Sequence, residues 1–131
     1  MGAPGIEVVH PRPETAVVVL HGEHDLSTKT ELHQTLTELL DAHKLVVADL
    51  SATEFIDSTV LGELVRADHK AKDDGTQFRL QLGSEPIVNR VLEITGLLGV
   101  LDWYPTREEA LEGREPEVGA LTAAESARPL E

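Results

Sequence analysis

Apolar and polar residues follow one another along this chain in the pattern of a small α/β domain. Residues 15–20 and 44–50 are apolar almost throughout, which is typical of strands buried on both faces of a sheet. Residues 6–9 and 76–82 are shorter or alternating runs and are predicted as further strands, with a last short one at about residues 99–102. The predicted sheet therefore has four or five strands.

The segments between these strands carry apolar residues at helical spacing. The pattern predicts a first helix that begins at Ser27 or Thr28 and stops near Ala42, after a loop at residues 21–25. Three further helices are predicted at about residues 58–72, 86–95 and 106–111. A strand–helix–strand order around the second helix implies parallel pairing, so the fold class is α/β with a mixed, mostly parallel sheet and about four helices.

Composition narrows the classes of function. The chain has 131 residues and a formal net charge of −13, which argues against binding nucleic acid or an anionic membrane, because both require a basic surface. It has no cysteine, so neither disulfides nor a thiolate metal site can form. No apolar run is long enough to span a membrane, and a soluble, cytoplasmic protein without cofactors is expected. Residues 5–113 are predicted to form the domain, and residues 114–131, poor in large apolar side chains, a disordered tail.

The most distinctive chemistry lies in residues 55–62, where a strand-like segment meets the second helix. Ser58 is expected at the N-terminus of that helix, where unpaired backbone N–H groups favour a phosphate. Ser58 is equally suited to be a plain helix cap, and Asp57 a cap or a first-turn acid.

Two other kinds of site fit the sequence less well. His21, Glu23, His24 and Asp25 resemble a metal cluster, but they fall on a predicted loop without the helical spacing of a zinc protease motif, so we expect no metal there. Ser58 lacks the Gly-x-Ser-x-Gly context of a hydrolase nucleophile, and the chain has no nucleotide-binding Gly-x-x-x-x-Gly-Lys loop. We therefore predict a protein that is not an enzyme.

Four segments, in this order, resemble the STAS domain, and within it the bacterial anti-sigma factor antagonists. They are Gly-Glu-His-Asp-Leu at residues 22–26, the run from Val47 to Leu50 that leads to Phe-Ile-Asp-Ser-Thr at 55–59, Val-Leu-Glu-Ile-Thr-Gly-Leu at 91–97, and Glu-Glu-Ala-Leu at 108–111. The resemblance covers about residues 5–113.

The resemblance implies a partner-switching cycle with Ser58 as phosphoacceptor. The unphosphorylated protein would bind an anti-sigma factor that is a serine kinase and so free a sigma factor, phosphorylation would end that binding, and a serine phosphatase would restore it. The residues expected around Ser58 in the partner-binding surface are Asp57, Thr59, Gly62, Glu23 and Asp25.

One position departs from the family pattern. Val60 stands where the family has glycine, and we expect its bulk beside Ser58 to narrow the choice of partner or to mark a variant that is not phosphorylated. The alternative function is therefore a STAS subunit that does not switch, in a lipid-transport ABC complex or a signalling scaffold.

Overall fold

The chain folds into six strands and four helices, in a computed structural model that describes residues 3–113. Two short 3-10 turns, at Leu26–Thr28 and Leu97–Gly99, complete the set. In chain order the elements are β1 (Gly5–Val9), β2 (Thr15–His24), α1 (Lys29–Ala42), β3 (Leu45–Asp49), β4 (Thr53–Ile56), α2 (Ser58–Asp74), β5 (Gln77–Gln81), α3 (Pro86–Ile94), β6 (Trp103–Tyr104) and α4 (Arg107–Glu112).

The two apolar runs pair at the centre of the sheet. β2 and β3 are parallel, with Thr15 opposite Leu45 and Val19 opposite Asp49. The strand order is β1-β2-β3-β5-β6, in which only the β1–β2 pair is antiparallel. β4 lies off this path and pairs in parallel with the last residues of β2.

Helices cover both faces of the sheet. On one face Val18 and Leu20 join a large core with the apolar sides of α1, α2 and α3. On the other face Val17 and Val19 pack in a smaller core that includes Ala110 of α4. The alternation of β2 side chains between two cores explains why this run has no polar face.

The predicted fold class is confirmed, with local corrections. The predicted loop at residues 21–25 is wrong, because β2 continues to His24 and its extension pairs with β4, a strand that the sequence did not predict. The last strand is Trp103–Tyr104 rather than residues 99–102, since residues 97–99 form a 3-10 turn. Gln81 is buried although the alternation placed it on the wetter face. The predicted tail at 114–131 lies outside the described residues.

Candidate functional site

Ser58 is the first residue of α2, and its side chain is exposed. The cap of this helix is the preceding residue, Asp57, whose backbone is extended. Asp57 Oδ1 accepts hydrogen bonds from the backbone N–H groups of Thr59 at 3.0 Å and Val60 at 3.1 Å. The serine hydroxyl is therefore not used as the N-cap and remains at the surface, available to a partner.

This cap changes the expected electrostatics of the helix N-terminus. Two of the N–H groups that would attract a phosphate already bind the Asp57 carboxylate, which also interacts favourably with the positive end of the helix dipole. The expectation that the helix end is an open anion site is corrected: a phosphate on Ser58 would meet a carboxylate already in place.

The end of β2 lies beside the end of β4, next to Ser58. In this parallel pair Glu23 is opposite Phe55 and His24 is opposite Ile56, so the next residue of each strand is an aspartate, Asp25 or Asp57. The structure thus places the predicted residues of both segments at one edge of the sheet.

Asp25 is also an N-cap, as Asp57 is, but of a short 3-10 turn. Its Oδ1 accepts hydrogen bonds from Ser27 N at 2.9 Å and Ser27 Oγ at 2.6 Å, and it caps the 3-10 turn that precedes α1. These hydrogen bonds from Ser27 lower the pKa of Asp25 from its ordinary value of 3.8. Asp25 therefore remains a carboxylate wherever the protein works near neutral pH.

Gly62 and Val60 lie on different sides of α2. A Cβ added to Gly62 would meet no atom within 4 Å, so the glycine opens onto free space one turn beyond Ser58. Val60, in contrast, is fully buried in the core with Ile56 and Leu64. The expectation that Val60 adds bulk to the surface beside Ser58 is thus wrong, because its side chain fills the interior of the domain.

Two exposed apolar side chains border these polar residues and were not predicted. Phe55, opposite Glu23, is 39% exposed, and Leu26, which follows Asp25, is 69% exposed. The sequence could not show this exposure, because Phe55 precedes the buried Ile56 in what reads as a single apolar pair. Exposed apolar side chains bordered by polar ones are typical of protein-binding surfaces.

The histidines near the site serve the fold. His24 is fully buried, and its Nε2 lies 3.2 Å from Gly5 O and 3.0 Å from His21 O. His21 bonds instead to Glu7, at 2.8 Å. Within residues 3–113, no group of three or more His, Asp or Glu side chains is arranged to hold a metal ion.

The sequence model of the STAS domain matches residues 7–110. The chain belongs to the STAS domain family. Its fold resembles that of an anti-sigma factor antagonist from Mycobacterium paratuberculosis, with 28% identity, a TM-score of 0.74, and 85% of this chain and 93% of that chain covered. A STAS-domain anti-sigma-factor antagonist from Planctomyces limnophilus is 25% identical, with a TM-score of 0.70 over 82% of this chain and 96% of that one.

More distant STAS structures share the fold alone. Bacillus SpoIIAA in its phosphorylated form is 21% identical, with a TM-score of 0.66 and coverage of 83% of this chain and 98% of that chain.

Within residues 3–113, no helix is long and apolar enough to cross a membrane.

Proposed function

We propose that this STAS domain is an anti-sigma factor antagonist controlled by phosphorylation of Ser58. The observation that supports this most directly is the exposed Ser58 hydroxyl at the first position of α2, left unused by the cap that Asp57 supplies. The similarity to anti-sigma factor antagonists supports this function class for the site.

The charge of a phosphate explains how the switch would work. A phosphoryl group adds about 1.5 to 2 negative charges at neutral pH. Asp57 already occupies the helix N-terminus, and the whole chain carries a net charge of −13, so little within the chain offsets the new charge. A partner packed against the neutral hydroxyl would have to desolvate a dianion, and each 1.4 kcal/mol of that cost weakens binding tenfold. No large conformational change is needed.

The surrounding surface suggests how a partner is held before phosphorylation. Phe55 and Leu26 supply exposed apolar contacts, and Glu23 and Asp25 supply carboxylates beside them. Gly62 allows a partner to approach α2 closely. We infer that an anti-sigma factor serine kinase binds this surface in the cytoplasm, and that a serine phosphatase reverses its action. The STAS protein would be a substrate and a switch rather than an enzyme.

The first experiment is to find the modification in the protein from its own cells. Intact-mass and phosphopeptide analysis, with and without stress, should show one phosphoryl group on Ser58 that changes with conditions. The group should be absent from Ser58→Ala and present in Ser84→Ala, the matched control at an exposed serine outside the proposed partner surface. Phosphate that stays in Ser58→Ala would place the acceptor elsewhere.

The second experiment separates charge from size. Ser58→Glu and Ser58→Gln have nearly the same shape, so a difference between their affinities for the anti-sigma factor reports charge alone. We expect Ser58→Glu to bind at least about tenfold more weakly than Ser58→Gln. Equal affinity for both variants would refute the charge mechanism. A chain that is never phosphorylated yet stays bound to its partner would favour a transport or scaffold subunit that does not switch.

A further inference from the structure

α3 carries apolar side chains on two adjacent sides, and only one of them is covered by the described residues. Val88 and Leu92 are buried in the main core. Ile87 is 54% exposed and Ile94 is 68% exposed, with the half-buried Val91 between them. The spacing i, i+4, i+7 aligns these three residues in one stripe along the helix.

This stripe is more than scattered surface hydrophobicity. Single exposed apolar residues are normal, but a contiguous stripe of large β-branched side chains on one helix is typical of a helix that packs against another protein surface. Val100, just beyond α3 in the chain, is also 51% exposed.

The charges beside the stripe favour a second copy of the same helix as its occupant. Arg90 and Glu93 are both exposed and lie on the same flank of the stripe. If two α3 helices pack antiparallel about a twofold axis, with Ile87 of each opposite Ile94 of the other, Glu93 of one copy lies at the level of residue 88 of its partner. That position is about 3 Å along the axis from Arg90, within reach of its long side chain. The symmetry repeats the pair, so the stripe is self-complementary in shape and charge.

We propose that this chain forms a symmetric dimer through α3, with the apolar stripe at its centre and two reciprocal Arg90–Glu93 pairs at its edge. One helix of nine residues covers less than a standard interface, so we expect a dissociation constant on the order of 10–100 µM. The dimer does not depend on phosphorylation of Ser58 and goes beyond the proposed switch.

Sedimentation equilibrium of the full chain tests this proposal. At 0.15 M salt the screening length is about 8 Å, which limits the repulsion between two strongly acidic copies. Ile94→Ser should weaken dimerisation at least about tenfold, as should either Arg90→Glu or Glu93→Arg, because symmetry counts each reversed charge twice. The double variant Arg90→Glu/Glu93→Arg restores opposite charges and should dimerise within about threefold of wild type. Leu26→Ser, which removes an equally exposed leucine elsewhere, is the matched control and should dimerise normally.

Three results would overturn the proposal. The chain could remain monomeric well above the expected dissociation constant. It could dimerise with a dissociation constant that neither Ile94→Ser nor the charge reversals change, which would place the interface elsewhere. Alternatively, in the monomeric state, amide resonances of residues 114–131 could shift in Ile94→Ser, which would make the chain's own C-terminal segment the occupant of the stripe.

Discussion

The hydrogen-bonding role of Asp57 can be separated from its charge by two substitutions at that position. Asp57→Ala removes the acceptor for the N–H groups of Thr59 and Val60, which lie 3.0 and 3.1 Å from its carboxylate. Asp57→Asn keeps an equally good N-cap and removes only the charge. The pair of variants therefore distinguishes a capping role from an electrostatic one.

The expected magnitudes follow from these contacts. Loss of an N-cap costs about 0.5–2 kcal/mol, and a carboxylate at a helix N-terminus contributes about 0.3–1 kcal/mol through the dipole. We expect Asp57→Ala to lower the free energy of unfolding by about 1–2 kcal/mol, and Asp57→Asn by less than about 1 kcal/mol. For a domain of about 110 residues, each 1 kcal/mol corresponds to a fall in Tm of about 4 °C.

Urea unfolding of the full chain, followed by circular dichroism at pH 7, measures both effects. Asp73→Ala is a suitable control, because an acidic residue in the last turn of α2 opposes the dipole, and its removal should leave the stability unchanged or slightly higher. Equal destabilisation by Asp57→Ala and Asp57→Asn would show that charge, not the cap, is what matters. An Asp57→Ala variant as stable as wild type would refute the reasoning altogether.

Further predictions concern the glycines, Val60 and Asp25. Val60→Gly, which restores the family residue, should destabilise the protein by about 3 kcal/mol, because it empties a fully buried site and places glycine inside a helix. A loss of stability below about 1 kcal/mol in urea unfolding would contradict the role of Val60 in the core. Gly62→Ala should raise stability by about 0.5–1 kcal/mol, because its Cβ meets open space, yet weaken partner binding if the partner approaches there. Gly83→Ala should instead lower stability by about 1–3 kcal/mol, because the new Cβ would lie 2.7 Å from a backbone atom of the β3–β4 turn. Unchanged stability would mean that this turn can shift. By NMR, the pKa of Asp25 should lie below 3.8, and Ser27→Ala should raise it. The small stabilising effect of Asp25 is therefore present above pH 3.8 and lost as the pH falls through the pKa of the folded state. An unchanged pKa in Ser27→Ala would exclude Ser27 as the cause.

The sequence predicts the centre of the fold well, because residues 15–20 and 45–49 are all buried and nearly all of them are apolar, so that they point to the same structure. The run 15–20 packs against apolar side chains on both faces, so few other structures could bury it. The break after α2 was also predictable, since Gly75 adopts the left-handed conformation, with φ of 75°, that ends many helices.

The edge of the sheet near Ser58 could not be predicted in the same way. β4 has only four residues, with Glu54 and Phe55 exposed between two buried ones, so it shows neither an apolar run nor alternation. The last four residues of β2, 21–24, contain a glycine and three charged or titratable side chains and therefore read as a loop. Long-range pairing decides both segments, and a local pattern does not record it.

Ser58 was placed correctly at the start of α2, but its neighbour supplies the cap. Serine and aspartate are about equally good N-caps, so the sequence Asp-Ser-Thr leaves the choice open until the helix has a defined first residue. The burial of Val60 follows instead from helical spacing, because Val60 lies four residues before the buried Leu64 and shares its face of α2.

β2 has two different neighbours along its length: Thr15 to Val19 pair with β3, and Gly22 to His24 pair with β4, with a shift of register between Gly22 and Glu23. The strand is thus divided between a part that maintains the domain and a part that presents its surface. If Glu23 and Phe55 contact the partner as proposed, substitutions there should change which partner is recognised without disturbing the pairing at the centre of the sheet. Under the proposed function, this division would let a small domain acquire new partners while its interior remains the same.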